Sequence, residues 1–207
     1  MYIFGLELET FLINNNNEII IPDPKIHPTD SYIGLLEFRS KPNSNIFNCF
    51  GEIESQLQEF TYKNKNLYPL IIANNTFTTT QKQLIRKRTT NQCKSYLNTQ
   101  NIYGLKPKAI GNKSIASLQI NISNQISSEY KQENVTIPAK YGLLDINNIV
   151  SSLDNSFKNE IKNQQRQLGW YAIKDQIRLE YRSLPNTIYK MPNFFNTLQD
   201  IINTWEK

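Results

Sequence analysis

The chain has 207 residues, a formal net charge of +5 and 39% hydrophobic residues, which is enough apolar content for the core of one domain. It contains one histidine, His27, in a stretch expected to be an exposed loop, so histidine-rich metal sites and hydrolases with a Ser–His or Cys–His pair are not expected. No apolar run approaches the roughly 20 residues that span a bilayer, and the N-terminus lacks the layout of a signal peptide. We therefore expect a cytoplasmic protein without a membrane partner.

The N-terminal third of the chain predicts strands followed by one helix. Alternating apolar and polar residues predict a strand to about Ile13, a returning strand over Glu18–Ile21 and a strand over Ile33–Ser40. Three prolines predict an irregular loop between Pro22 and Thr29. Ser44 or Asn45 can cap the helix that the apolar spacing predicts from Ile46 to about Lys63.

The remainder predicts further strands alternating with helical segments. In chain order they are the strand Leu67–Ala73, the helix Gln81–Asn98, the strand Ile115–Ser123, the helix Ile146–Leu168, the strand Gln176–Leu184 and the helix Asn193–Trp205. This order predicts an α+β fold, with a mostly antiparallel sheet and helices packed on one face. No linker divides the chain, so residues 1–207 are expected to form a single domain.

Four of these strands carry an unusual polar face. Their sequences are FGLELETFL, YIGLLEFRS, SIASLQINIS and IRLEYRSL. Because residues i and i+2 of a strand point to the same face, each segment has one large apolar face and one face of acids, amides or arginines. The polar set is Glu7, Glu9, Glu37, Arg39, Gln119, Asn121, Arg178, Glu180 and Arg182.

If the four strands share one sheet, four glutamates gather beside three arginines. Carboxylates at close quarters repel one another, and a divalent cation is the usual way to neutralise them. Oxygen ligands suit magnesium or manganese. The simpler interpretation of each segment alone is a solvated strand face with cross-strand ion pairs. The repetition over four strands favours a shared site.

The ordered set of motifs resembles the carboxylate–amine ligase superfamily, which includes glutamine synthetase and glutamate–cysteine ligase, and it is most similar to the compact phage-encoded amidoligases. The motifs are E-x-E at Glu7, DSYIGLLEFRS from Asp30, a strand with two polar positions, and RLEYRSLP from Arg178. The resemblance covers about Ile3 to Asn186, although the stretch Phe77–Lys113 matches nothing in it. It implies a curved sheet, as in the glutamine synthetase catalytic domain, whose polar face binds ATP with Mg²⁺ or Mn²⁺.

The resemblance also implies a role for each polar residue. The metal ligands would be Glu7, Glu9, Asp30, Glu37 and Glu180. The catalytic pair would be Glu180 with Arg182, whose guanidinium would stabilise the transferring phosphate. ATP would contact Arg182 together with Gln119 and Asn121, which lie on a strand where the family usually carries histidines. A substrate carboxylate or phosphate would contact Arg39 and Arg178.

The implied activity is ATP-dependent formation of an amide or peptide bond. The γ-phosphoryl group passes to a substrate carboxylate, and an amine then displaces phosphate from the acyl phosphate. The partners would be a small-molecule or peptide carboxylate and an amine, in the cytoplasm of an infected host cell if the protein is phage-encoded. Two alternatives stay open: a ligase-like binding protein whose activity is lost through Gln119 and Asn121, and a nucleic-acid-binding protein that uses the basic stretch Lys82–Lys94.

Overall fold

The computed structural model describes residues 2–29, 34–88, 99–106, 113–124, 144–174 and 178–205, and elements are numbered within these ranges. The strands are β1 (Tyr2–Asn14), β2 (Ile19–Ile20), β3 (Leu36–Arg39), β4 (Leu67–Leu70), β5 (Asn74–Thr76), β6 (Thr99–Asn101), β7 (Lys113–Ile115), β8 (Leu118–Asn124), β9 (Trp170–Lys174) and β10 (Arg178–Tyr181). The helices are α1 (Ile46–Lys63), α2 (Thr79–Arg88), α3 (Ile146–Ser156), α4 (Lys158–Asn163) and α5 (Phe194–Trp205), with a 3-10 helix at Asn186–Lys190.

Eight of the described strands form one sheet around the long strand β1. The order is β2-β1-β8-β10-β9-β6, and β3 and β4 also pair with β1. Every strand pair in the described part of the chain is antiparallel. The predicted α+β class with a mostly antiparallel sheet is therefore confirmed.

One face of this sheet is the main hydrophobic core. The apolar side chains that alternate along β1, β3, β8 and β10 are all at most 3% exposed: Phe4, Leu6, Leu8, Leu12, Leu36, Phe38, Leu118, Ile120, Ile122, Leu179 and Tyr181. They form one cluster with buried residues of α1, α3, α4 and α5. Burying each such side chain contributes roughly 1.5–3 kcal/mol. This core fixes which face of each strand carries the polar residues.

Helix α1 has the predicted boundaries. It begins after Asn45, whose side chain accepts a hydrogen bond from the Phe47 amide, and it ends at Lys63. Ile46, Phe50 and Phe60 of this helix are buried in the main core. The N-cap residue and the apolar spacing, which can both be recognised in the sequence, therefore determine where this helix begins and ends.

The C-terminal half differs from the prediction at one long helix. Residues 146–168 form α3, α4 and a loop, because Phe157 leaves helical geometry (φ −116°, ψ 21°) and Gln165 adopts a left-handed conformation (φ 60°). Gly169 is also left-handed (φ +84°), and a Cβ there would lie 2.7 Å from Tyr103. The chain then enters β9, a strand that the sequence analysis did not predict. Helix α2 ends at Arg88, and the rest of the predicted helix to Asn98 lies outside the described residues.

A second apolar cluster lies on the opposite side of β1. Phe11 shares a strand face with Glu9, and it packs with Leu35, Ala116 and Ile85 of α2. Helix α2 therefore covers the end of the polar face, whereas the sequence analysis expected helices on one face only. Within the described residues, no helix combines the length and apolar character needed to cross a membrane.

His27 is buried, contrary to the expectation of an exposed loop residue. Its Nδ1 accepts a hydrogen bond of 2.9 Å from the Asp23 amide, and its ring lies 5.8 Å from that of Phe60. Burial lowers the pKa of His27. These contacts hold the loop before β3 against helix α1.

Helix α3 places one carboxyl group inside the main core. Asp154 is 1% exposed, and its Oδ1 accepts a hydrogen bond of 2.6 Å from the Tyr181 hydroxyl. Burial raises the pKa of Asp154, and the hydrogen bond from Tyr181 partly opposes that effect. The folded protein therefore retains a proton on this group at pH values where the unfolded chain has lost it.

We predict that Asp154→Asn gains stability relative to the wild type as the pH rises above the pKa of the unfolded chain's aspartate. Because the pKa of Asp154 is raised in the folded state, the free energy of unfolding falls as pH rises from the unfolded pKa to the folded one. Asparagine keeps an oxygen acceptor for Tyr181 and cannot ionise. Urea denaturation between about pH 4 and pH 8 should show that the free energy of unfolding of the variant increases relative to that of the wild type as pH rises. Parallel pH profiles of the free energy of unfolding for the variant and the wild type would contradict this prediction. Asp200→Asn, at an exposed position, is the control and should give a profile parallel to that of the wild type.

Candidate active site

Strand pairing brings the first two polar segments side by side. Glu7 lies opposite Arg39 and Glu9 lies opposite Glu37 across β1 and β3. The Arg39 Nε donates to Glu37 Oε1 and lies 3.7 Å from Glu7 Oε2. The guanidinium thus bridges two carboxylates, with Glu37 buried and the arginine side chain 55% exposed.

The other edge of β1 meets the amide-bearing strand β8. Glu7 lies opposite Gln119, and Gly5 lies opposite Asn121. Asn121 Nδ2 donates to Glu7 Oε1 at 3.0 Å, and on its far side Asn121 lies opposite Glu180 of β10. Asn121 Oδ1 is buried without a hydrogen-bond partner among the described residues. Among the described residues, the amide thus has one unsatisfied acceptor, on a strand whose neighbours carry Glu7 and Glu180.

Glu180 is the most deeply buried glutamate of the group. It is 2% exposed, and its Oε1 accepts hydrogen bonds from the guanidinium of Arg182. Its Oε2 lies 3.5 Å from the Lys174 ammonium of β9. Arg182 also donates to the Thr99 hydroxyl at 3.2 Å. Two cations therefore compensate this carboxylate, and β9, which was not predicted, supplies one of them.

Glu9 is held by the residue just before β8. Its Oε2 accepts hydrogen bonds from the Ser117 amide (2.8 Å) and hydroxyl (2.6 Å), and its Oε1 accepts one from Gln119 (3.3 Å). Loss of hydration raises the pKa of Glu9, while the Ser117 hydrogen bonds and the charges of Arg166 and Arg182 lower it. The carboxylate is thus oriented by neutral donors, and the positive charges of Arg166 and Arg182 favour its ionised form.

Arg166 is a charged residue of this region that the sequence analysis missed. It lies in the loop after α4, and its Nε donates to the Ser183 carbonyl at 2.9 Å, while its Nη2 donates to the Arg182 carbonyl. Burial lowers its pKa to about 10, against the opposing charge of Glu9. It therefore stays charged near neutral pH and clamps the backbone that carries Arg182. No sequence signal marked it, because the helical spacing before it predicted a continuous helix.

A cleft of about 210 Å³ opens at the Gly5 end of the polar face. Gly5 gives it a floor without a side chain, and Arg39 and Arg178 line it together with Glu7 and Asn121. The two arginines that the resemblance assigned to substrate therefore border one cavity. The strand register brings Arg178 to this cleft, because Arg178 lies opposite Ser123, which is two residues along β8 from Asn121.

The sheet thus carries eight predicted site residues along β1, β3, β8 and the end of β10, and Arg178 lines the cleft at the Gly5 end. Asp30 lies outside the described residues. Within the described ranges, no three His, Cys, Asp or Glu side chains form a group that could hold a metal. Glu37 and Glu180 each pair with an arginine, and they lie on strands with β1 and β8 between them. Their role as metal ligands stays a prediction.

We predict that Arg166→Met lowers the free energy of unfolding by about 2–4 kcal/mol, because it removes two hydrogen bonds made by a charged donor. Arg166→Lys should recover only part of this loss, since one ammonium cannot reproduce the planar fork that reaches both carbonyls. Chemical denaturation measures both variants. Arg86→Met, at an exposed position, should stay within about 0.5 kcal/mol of the wild type, and an equally small change for Arg166→Met would contradict the clamp.

Comparison with known proteins gives no family assignment: no family model, curated protein or solved structure matches the chain.

Proposed function

We propose that the chain is an ATP-dependent carboxylate–amine ligase with a glutamine-synthetase-like catalytic domain. The observation that carries this proposal is the convergence of Glu7, Glu9, Glu37 and Glu180 with arginines on one face of a single sheet. The strands that bear them are far apart in the sequence and adjacent in the fold. Such convergence is what a polyphosphate and its metal ions require of a protein.

The competing interpretation is a solvated sheet face stabilised by ion pairs. Burial argues against it, since Glu37, Gln119, Asn121 and Glu180 are at most 9% exposed. Exposed ion pairs cost little to make, whereas a buried carboxylate loses hydration worth several kcal/mol even when it is paired. A sheet that needed only solubility would not bury these groups. Their burial supports a site where charge is needed.

The donor atoms of this face are of the kind that magnesium and manganese prefer. Carboxylate oxygens are hard ligands, and the buried Asn121 Oδ1, on the strand between those of Glu7 and Glu180, accepts no hydrogen bond from the described residues. Glu7, Glu9, Glu37 and Glu180 would hold the ions, with Asp30 as a further ligand. When bound, the ions would neutralise and align the ATP phosphates.

The basic residues of the face suit the transferring phosphate and the substrate. Arg182 is fixed by Glu180, by Thr99 and through its backbone by Arg166, so its guanidinium is positioned before any ligand arrives. A fixed positive charge of this kind contributes about a thousandfold or more to phosphoryl transfer. Arg39 and Arg178 would hold the carboxylate substrate in the Gly5 cleft.

The γ-phosphoryl group would then pass to that carboxylate, and an amine would displace phosphate. This chemistry needs no nucleophilic side chain from the protein. Gln119 and Asn121 donate to Glu9 and Glu7, so their amides would hold the carboxylates in place where the family carries histidines. The reaction would take place in the cytoplasm, where ATP is available.

We predict that ATP with Mg²⁺ raises the thermal stability of the protein and that Glu180→Gln removes this effect. A ligand that binds only the folded state adds about 2.7 kcal/mol at 100 times its Kd. Differential scanning fluorimetry with ATP alone, Mg²⁺ alone and both together would measure it. Glu59→Gln, which changes an exposed glutamate of α1, should respond like the wild type.

A magnesium-dependent shift that Glu180→Gln loses would lead directly to a screen for ADP release with acids and amines. A wild-type protein that shows no shift with ATP and Mg²⁺ would contradict the ligase proposal. It would favour a binding protein on a ligase-like scaffold. A shift that persists in Glu180→Gln would place the nucleotide elsewhere on the molecule.

A further inference from the structure

Helix α2 carries a concentration of positive charge that the proposed ligase site does not use. Its ten residues, TTQKQLIRKR, contain Lys82, Arg86, Lys87 and Arg88 and no acid. Arg86 and Lys87 are exposed, and Lys82 and Arg88 are half-buried. Among the described residues, no ion pair links Lys82, Arg86 or Lys87 to a carboxylate.

Helix stability alone does not account for this pattern. Basic residues in the last turn interact favourably with the helix dipole, which explains Arg86 to Arg88. Lys82 lies near the helix N-terminus, where a cation is unfavourable, and it stands four residues before Arg86. Such a like-charge pair costs about 0.2–0.5 kcal/mol. The helix therefore keeps a positive surface at the expense of some stability.

The sheet holds this basic helix in a fixed position. Ile85 is buried against Phe11 and Ala116, and Arg88 donates to the Pro22 carbonyl at 3.3 Å. Gln81 donates to the Ile19 carbonyl at 2.7 Å. These contacts anchor the helix to the sheet.

The position of α2 is next to the candidate active site. Phe11 follows Glu9 on the same face of β1, and Ala116 precedes Ser117, whose amide and hydroxyl bind the Glu9 carboxylate. By the rise of a strand, α2 and the Gly5 cleft lie at opposite ends of the polar face, roughly 20 Å apart. A ligand bound along α2 would therefore approach the site from its Glu9 end.

An exposed aromatic residue lies on the same side of the sheet. Tyr68 of β4 is opposite Ile13 of β1, so it shares a face with Phe11, and it is 40% exposed. Leu70, two residues further along β4, packs against the cluster that holds Ile85. Basic side chains and an exposed aromatic ring on one side of a sheet are the features that bind single-stranded nucleic acid, through phosphate contacts and base stacking.

We propose that α2 and Tyr68 form a docking surface for single-stranded nucleic acid beside the candidate active site. Arg86 and Lys87 contact the phosphates and Tyr68 stacks on a base. Charge complementarity and the exposed ring favour this partner over an acidic protein, which would use the charges without needing the ring. The proposal goes beyond the ligase activity and does not depend on it.

Fluorescence anisotropy with a labelled oligonucleotide of about 20 residues, without ATP or Mg²⁺, tests the proposal. The wild type should bind with a log K that falls linearly with log salt. Arg86→Gln with Lys87→Gln should reduce the magnitude of the slope by about 1.4, since each phosphate contact on a single strand contributes about 0.7. Lys158→Gln with Lys162→Gln removes the same charge from exposed positions of α4 and should leave the slope unchanged.

Tyr68→Ala should weaken single-strand binding about tenfold or more without changing the salt slope, because stacking carries no charge. Three results would overturn the proposal. They are no salt-dependent binding by the wild type, an equal loss in the α4 control, and binding of a polyglutamate peptide in place of the oligonucleotide. The last result would identify an acidic protein as the partner.

Discussion

The pairing of buried carboxylates with arginines two residues further along the same strand is the interaction on which the polar face depends. Glu37 pairs with Arg39, and Glu180 pairs with Arg182, so each carboxylate has its counter-charge on the same side of the sheet. A buried carboxylate without a partner costs several kcal/mol. These two pairs flank β1 and β8, which allows Glu7 and Glu9 to lie between them without disturbing the register.

The apolar face makes this arrangement possible. Leu6, Leu8, Leu118 and Ile120 are fully buried against the helices, and a shift of register by one residue would expose all of them. The core therefore fixes the strands, and the strands fix the distances among the charged groups. A sheet selected for stability alone would carry threonine or valine at these positions, since well-packed apolar residues are no less stable than buried ion pairs. This comparison is the physical basis for proposing a function for the face.

The sequence predicted the features that follow from strand alternation and helix caps. The shared face of Glu7, Glu37, Asn121 and Glu180, and the boundaries of α1, are examples. It missed features set by backbone geometry between elements. The left-handed Gln165 and Gly169 end the helical segment and start β9. Arg166 acts through the carbonyl groups of Arg182 and Ser183, just beyond β10, a contact that no local pattern records.

Anomalous diffraction from crystals grown with Mn²⁺ and a non-hydrolysable ATP analogue would test whether the polar face binds a metal–nucleotide complex. The account predicts anomalous peaks within coordination distance of carboxylate oxygens among Glu7, Glu9, Glu37 and Glu180, with the analogue's phosphates beside Arg182. Manganese peaks and nucleotide density located away from this face, or no binding by either, would contradict it.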